Sequence, residues 1–169
     1  MKIFYIDPDV GAREGSYGYY DNIAKAIAGQ LGTVNDTDKA NLVLVHGRGY
    51  TTSVDDLIKQ TGMTPDLICF GYGVTNIFRG AVKYKETTFN GIRDCGIPKA
   101  MFLNKEYAGS LPAKLDYMNE LGIDIGFSYH HDYKQFEEIT GIPFEFLPFA
   151  VDPTLFKDYD YAGEKLDLG

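Results

Sequence analysis

Residues 97–147 read IPKAMFLNKEYAGSLPAKLDYMNELGIDIGFSYHHDYKQFEEITGIPFEFL, and the fold is decided there. Lys99 to Leu103 is a short apolar run introduced by Gly96-Ile97-Pro98, which predicts a buried strand. Pro112 suits the first turn of a helix, and that helix runs through Leu121 with Leu111, Leu115, Met118 and Leu121 on one apolar face. Ile123 to Phe127 predicts a strand again, Tyr133 to Ile139 a helix, and Phe144 to Leu147 a last strand. Strands without polar alternation, joined by helices, have both faces covered. They pair in parallel through right-handed crossovers.

The same alternation extends toward the amino terminus. Lys2 to Ile6 predicts a strand, and Tyr20 to Leu31 a helix with Ile23, Ile27 and Leu31 on one face and Gly32 as its stop. Leu42 to Val45 is a second strand. Ser53 caps a short helix through Gln60, with Asp55 and Asp56 in its first turn and Gly62 behind it, and Leu67 to Phe70 is a third strand. The segment Asn76 to Asp94 is expected to be helical in its later part, with Gly80 and Gly91 against it. The expectation is an α/β, Rossmann-like three-layer sandwich around a mostly parallel sheet of about six strands. Residues 1–151 make up this domain. Residues 152–169 form a polar, Tyr-rich connector, Asp158-Tyr159-Asp160-Tyr161 included, that leads into what resembles another strand. The chain thus reads as the first half of something larger, or as a domain with a ragged C-terminal tail.

Composition narrows the function classes. The 169 residues carry a net charge of −8, from 16 basic and 24 acidic side chains, and no Lys/Arg cluster of the kind a duplex needs. Nucleic acid is not an expected partner. No run of about 18 apolar residues predicts a membrane span, and the start turns acidic too soon for a signal peptide. Cys69 and Cys95 read as thiols in a reducing compartment, so a cytoplasmic location is expected. The 13 Tyr and 11 Phe fit core strands, with some loop tyrosines able to stack on sugars or bases.

In an open parallel sheet, ligands bind beyond the carboxyl ends of the strands. Read that way, Asp7 follows the first strand, His46-Gly47-Arg48 the second and Gly71-Tyr72-Gly73 the third. Asn104-Lys105-Glu106-Tyr107 follows the fourth and Tyr129-His130-His131-Asp132 the fifth. All three histidines fall at that one edge. The loop after the first strand holds Gly11, Gly15, Ser16 and Gly18, which suits a flexible substrate loop. It matches neither G-x-G-x-x-G nor a P-loop. Lys105 and Glu106 form a candidate crevice pair, with Glu106 as general base, and His130 or His131 as the other catalytic candidate. Asp7, Gly15, Ser16, His46, Arg48, Tyr72, Lys105, Tyr107 and Asp132 are the expected substrate-binding residues. A zinc site built on both His130 and His131 is disfavoured, because adjacent residues at a strand end point in opposite directions. No metal and no cofactor are expected.

The stretch Phe146-Leu147-Pro148-Phe149-Ala150-Val151-Asp152-Pro153-Thr154-Leu155-Phe156 resembles the interdomain segment of GT-B glycosyltransferases, a "hydrophobic-P-x-(G/A)-V-D-x-x-x-F" pattern after the last strand of the first domain. Pro-Phe-Ala in place of Pro-Asn-Gly is similar to the CgeB-like (spore-maturation-protein) and family 1/4-type enzymes. The likeness covers roughly Cys95 to Phe156, Phe102 to Tyr107, Lys114-Leu115 and Tyr129 to Asp132 included. It implies an N-terminal, acceptor-binding half of an enzyme that moves a sugar from a nucleotide-sugar co-substrate to a carbohydrate or other hydroxyl acceptor. The nucleotide-sugar would sit on a further, C-terminal domain beyond the linker, without a bound metal. The family's His or carboxylate after a first-domain strand corresponds here to Asn104-Lys105-Glu106. The other readings of the sequence are a stand-alone Rossmann-like module that binds a sugar, nucleotide or protein without catalysis, and a flavodoxin-like domain that bound flavin would reveal.

Overall fold

A computed structural model describes residues 1–7, 27, 42–45, 51–79, 82–83, 88–103 and 110–148. Six strands form one parallel sheet: β1 (Ile3–Ile6), β2 (Leu42–Val45), β4 (Leu67–Phe70), β8 (Lys99–Phe102), β9 (Ile125–Ser128) and β10 (Phe144–Phe146). Their spatial order is β10-β9-β8-β4-β1-β2. Ile3 stands opposite both Leu42 and Leu67, and Phe144 opposite Gly126. Each of the six lies where an apolar run predicts it.

Alternation along the strands sorts the core into two layers, because successive side chains leave opposite faces of the pleat. Phe4, Ile6, Ile68, Phe70 and Met101 face the helices α1 (Val54–Thr61), α2 (Leu111–Leu121) and α3 (Tyr133–Thr140). They meet Val54 and Leu57 of α1, Leu115 and Met118 of α2, and Phe136 of α3. Ile3, Tyr5, Cys69, Ala100 and Phe102 face the other way, where Ile27, itself helical, packs on them. Helix, sheet and helix are the three layers expected. Each large side chain buried here is worth about 1.5–3 kcal/mol relative to exposure.

Local chemistry sets the helix ends. The Asp56 N–H donates to Ser53 Oγ at 3.1 Å, and the Gly62 N–H closes α1 on the Ile58 carbonyl at 2.8 Å. Arg93 Nη1 donates to the carbonyls of Asn119 (2.6 Å) and Glu120 (3.2 Å), so a cation sits where the dipole of α2 is negative. The α3–β10 corner is tied by Glu137, whose Oε2 accepts the Phe144 N–H at 3.1 Å and Lys134 Nζ at 3.0 Å. These donors, the Phe144 amide first, hold the Glu137 carboxyl below the usual carboxylate range, and Glu137 in turn raises Lys134. On the neighbouring strand, the Phe144 ring lies over Gly126; a Cβ there would meet ring atom Cζ at 2.6 Å.

One expectation is corrected. The later part of 76–94 is not helical. A 3-10 turn over Tyr72–Ile77 leads instead to β5 (Phe78–Arg79), which pairs antiparallel with β6 (Val82–Lys83), and then to β7 (Thr88–Asn90), parallel to β3 (Thr51–Ser53). Val82, Thr88 and Phe89 favour extended backbone, and Gly91 turns the chain at a φ of 72°. Among its described residues, the β4–β8 crossover thus holds a 3-10 turn and short strands and no α-helix. Smaller differences are shifts of element ends by a residue or two. Of the helix expected over Tyr20 to Leu31, all but Ile27 lies outside the described residues, as does the linker 152–169.

Candidate functional site

Because all six strands run the same way, their carboxyl ends share one edge of the sheet. The chain passes from β1 to β2 on one side and then crosses back to β4 on the other, so the topological switch point lies between β1 and β4. That is where ligands enter open α/β sheets.

Asp7 and Tyr72 meet at this point. Asp7 is fully buried, and its Oδ2 accepts the Gly73 N–H at 3.2 Å. The Gly71 N–H continues the ladder onto the Ile6 carbonyl at 2.9 Å. Gly71 has no room for a side chain: a Cβ would collide with Asp7 Oδ2 and come within 2.6 Å of the Tyr5 hydroxyl. Tyr72 is buried, with its ring edge-on to Phe102 at 5.9 Å, and Phe102 stacks on Phe127 at 4.9 Å. Thr75, also buried, donates its hydroxyl to the Tyr72 carbonyl at 3.1 Å. A carboxylate in such a place is kept by hydrogen bonds, since burying one bare is very costly. Asp7 thus ties the ends of β1 and β4 together. Cys69, just inside this end, has its thiol pushed up to about 12 by burial.

His130, His131 and Asp132 sit at the other end of the rim, in the turn from β9 into α3. By strand spacing they are about 14 Å along the sheet from Asp7. The His130 N–H donates to the buried Ser128 Oγ at 2.9 Å, and His130 Nδ1 accepts the Asp132 N–H at 3.1 Å. An accepting Nδ1 leaves Nε2 as the protonated nitrogen of the neutral ring, so His130 presents a donor outward rather than a base. The His130 ring leans on Phe136, whereas that of His131 stacks on Phe146 at 6.0 Å and 19°. The two imidazoles part company, as adjacent residues at a strand end should. Among the described residues, no group of three or more His, Cys, Asp or Glu gathers to hold a metal ion. Nor is any helix among them long and apolar enough to cross a membrane.

The structure thus brings Asp7 and Tyr72 together, and His130, His131 and Asp132 together, on one rim but at separate places. Gly15, Ser16, His46, Arg48, Lys105, Glu106 and Tyr107 lie outside the described residues. Two features escaped the sequence reading. Lys114, in the first turn of α2, is buried although its side chain is charged. The available signal was its place at the head of the stripe Lys114, Tyr117, Met118, Leu121, where a lysine interrupts an apolar face. The second is Phe146, half-exposed beside Tyr133 and His131. The sequence predicts its strand, but not that β10 is the outermost strand among those described.

No family model matches the chain, and neither does any curated protein or solved structure.

Proposed function

We propose that this chain is the acceptor-side domain of a GT-B-type glycosyltransferase, which presents a carbohydrate or other hydroxyl acceptor on the carboxyl rim of its sheet. A second domain would bring the nucleotide-sugar. The observation that carries the reading is the exit of β10. The Leu147 N–H donates to the Ser128 carbonyl at 2.7 Å, so the chain leaves its last described strand at the same rim as His130 and His131. The Phe146 to Phe156 stretch that resembles an interdomain segment begins at this exit. A linker that starts from that edge lets a second domain face it. The parallel sheet, its switch point and the polar residues along the rim support the same reading; fold alone would not.

On this reading the roles divide. Asp7 holds the switch-point backbone in place, His130 donates through Nε2, and His131, exposed beside it, is the base candidate among the described residues. Glu106 remains the alternative base. The test is turnover. The 169-residue chain, incubated with UDP-glucose, UDP-N-acetylglucosamine or GDP-mannose and a hydroxyl acceptor, transfers no sugar, because the donor side is supplied elsewhere. Transfer by this polypeptide alone overturns the half-enzyme reading.

A further inference from the structure

We infer that His131, Tyr133 and Phe146 form a stacking subsite for a hexopyranose ring, an inference that rests on the acceptor-side reading above. Three large hydrophobic side chains are exposed among the described residues: Met1 at the terminus, Ile139 on the outer face of α3, and Phe146. Of these, Phe146 belongs to a ring cluster. Phe144, two positions earlier on the same face of β10, is completely buried, whereas Phe146 is 42% exposed. His131 lies nearly parallel to its ring, and Tyr133 approaches it at 6.1 Å and 36°. Flat, half-open rings suit a pyranose, whose axial C–H bonds form an apolar face with positive edges toward the negative face of an aromatic ring. The Asp132 carboxylate, 61% exposed, adjoins these rings and can take the sugar's hydroxyls, as can the nitrogens at the edge of the His131 ring.

The surroundings argue against the other occupants. A nucleotide base would stack equally well, but its phosphates would meet the exposed Asp132 carboxylate, while Lys134, whose Nζ stands 5.1 Å over the Tyr133 ring, is already engaged by Glu137 at 3.0 Å. A second copy of the chain would need about 800 Å² on each side for a stable contact. This patch is one half-exposed phenylalanine on a three-residue strand between Pro143 and Pro148, and proline cannot extend a β ladder.

The experiment is a titration of the 169-residue chain with methyl β-glucopyranoside and methyl β-galactopyranoside, followed by saturation-transfer and amide-shift NMR. Binding is expected, with shifts confined to 130–134 and 144–147. Phe146→Ala should weaken it by about tenfold or more, and Phe146→Tyr, which keeps the ring, should retain it. A circular-dichroism melt checks the folding of each variant. Should Phe146→Ala fail to fold, the exposed His131→Ala takes its place, with the same loss expected. Hexosides that bind with shifts at 71–75, unaffected by Phe146→Ala, overturn this subsite and leave the acceptor-side reading standing. No hexoside binding at all, or UMP occupying the rings instead, also overturns the subsite; the turnover experiment then judges the acceptor-side reading separately.

Discussion

The two ends of the carboxyl rim are built on different principles. At the switch point, Asp7, Gly71, Tyr72 and Thr75 are buried, and a backbone amide is bonded to a carboxylate between two central strands. At the edge, Phe146 on the outermost described strand and His131 and Asp132 in the turn after β9 stand in solvent. The first end is closed because Asp7, Gly71, Tyr72 and Thr75 are packed against one another out of solvent. The second is open because β10 has a strand on only one side among those described. Position in the sheet, more than residue type, decides which polar side chains on a rim can meet a ligand.

That contrast is breakable by measurement, and the largest effect expected is in thiol chemistry. Cys69 lies under the switch point with its proton held to about 12 against 9.0 in the unfolded chain. Near pH 8 this lowers the reactive thiolate about a thousandfold, so Cys95, only half-buried, should alkylate first while Cys69 waits for unfolding. The sign for stability follows. The unfolded thiol ionises above 9.0 and the folded one does not, so this contribution is intact below pH 9 and is lost as the pH rises toward 12. Equal labelling of the two cysteines in the native protein would mean that the switch-point end is not closed.

Packing comes next. Gly71→Ala drives a methyl group into the Asp7 carboxylate and the Tyr5 hydroxyl, and should cost about 1–3 kcal/mol in denaturant unfolding. Asp7→Ala removes a charged acceptor from the Gly73 amide and should cost a similar amount, about 1.5–3 kcal/mol. If either variant unfolds at the parental midpoint, the tight switch point is refuted. At the edge, Glu137→Gln should shift the unfolding midpoint less than either of these, because the Glu137–Lys134 pair is exposed to solvent and screened by it. Its pH signature is opposite to that of Cys69. The Glu137 carboxyl is held below its ordinary range, so the contribution is present above the unfolded carboxylate pKa and fades as acid protonates the folded group. Parent and variant should converge at low pH. Smallest of all, His131→Ala should leave stability within about 0.5 kcal/mol, since its ring touches a partner that is itself half in water.

The sheet was legible because burial on two faces leaves a plain mark: short apolar runs such as Leu67 to Phe70, with no polar alternation. Helix ends were legible where a side chain does the capping, as Ser53 does. The crossover after β4 was not. Its expected helix rested on composition, while the actual path depends on β7 pairing with β3, which lies far away in sequence. The site was half legible. The rim itself follows from parallel strands, and both Asp7 and His131 were found by reading past strand ends. Their burial was invisible, because it depends on strand order: β1 in the middle of the sheet, β9 next to its margin.

That central place of β1 also bears on how the molecule is made. β1 is flanked by β2 on one side and β4 on the other, with Ile3 facing Leu42 and Leu67. Until synthesis has passed residue 70, β1 lacks its β4 neighbour, so the middle of the sheet cannot close on β1 and β2 alone. Loss of β1 would remove the keystone, whereas β10, with a described strand on one side only, is the margin where added sequence would disturb the sheet least.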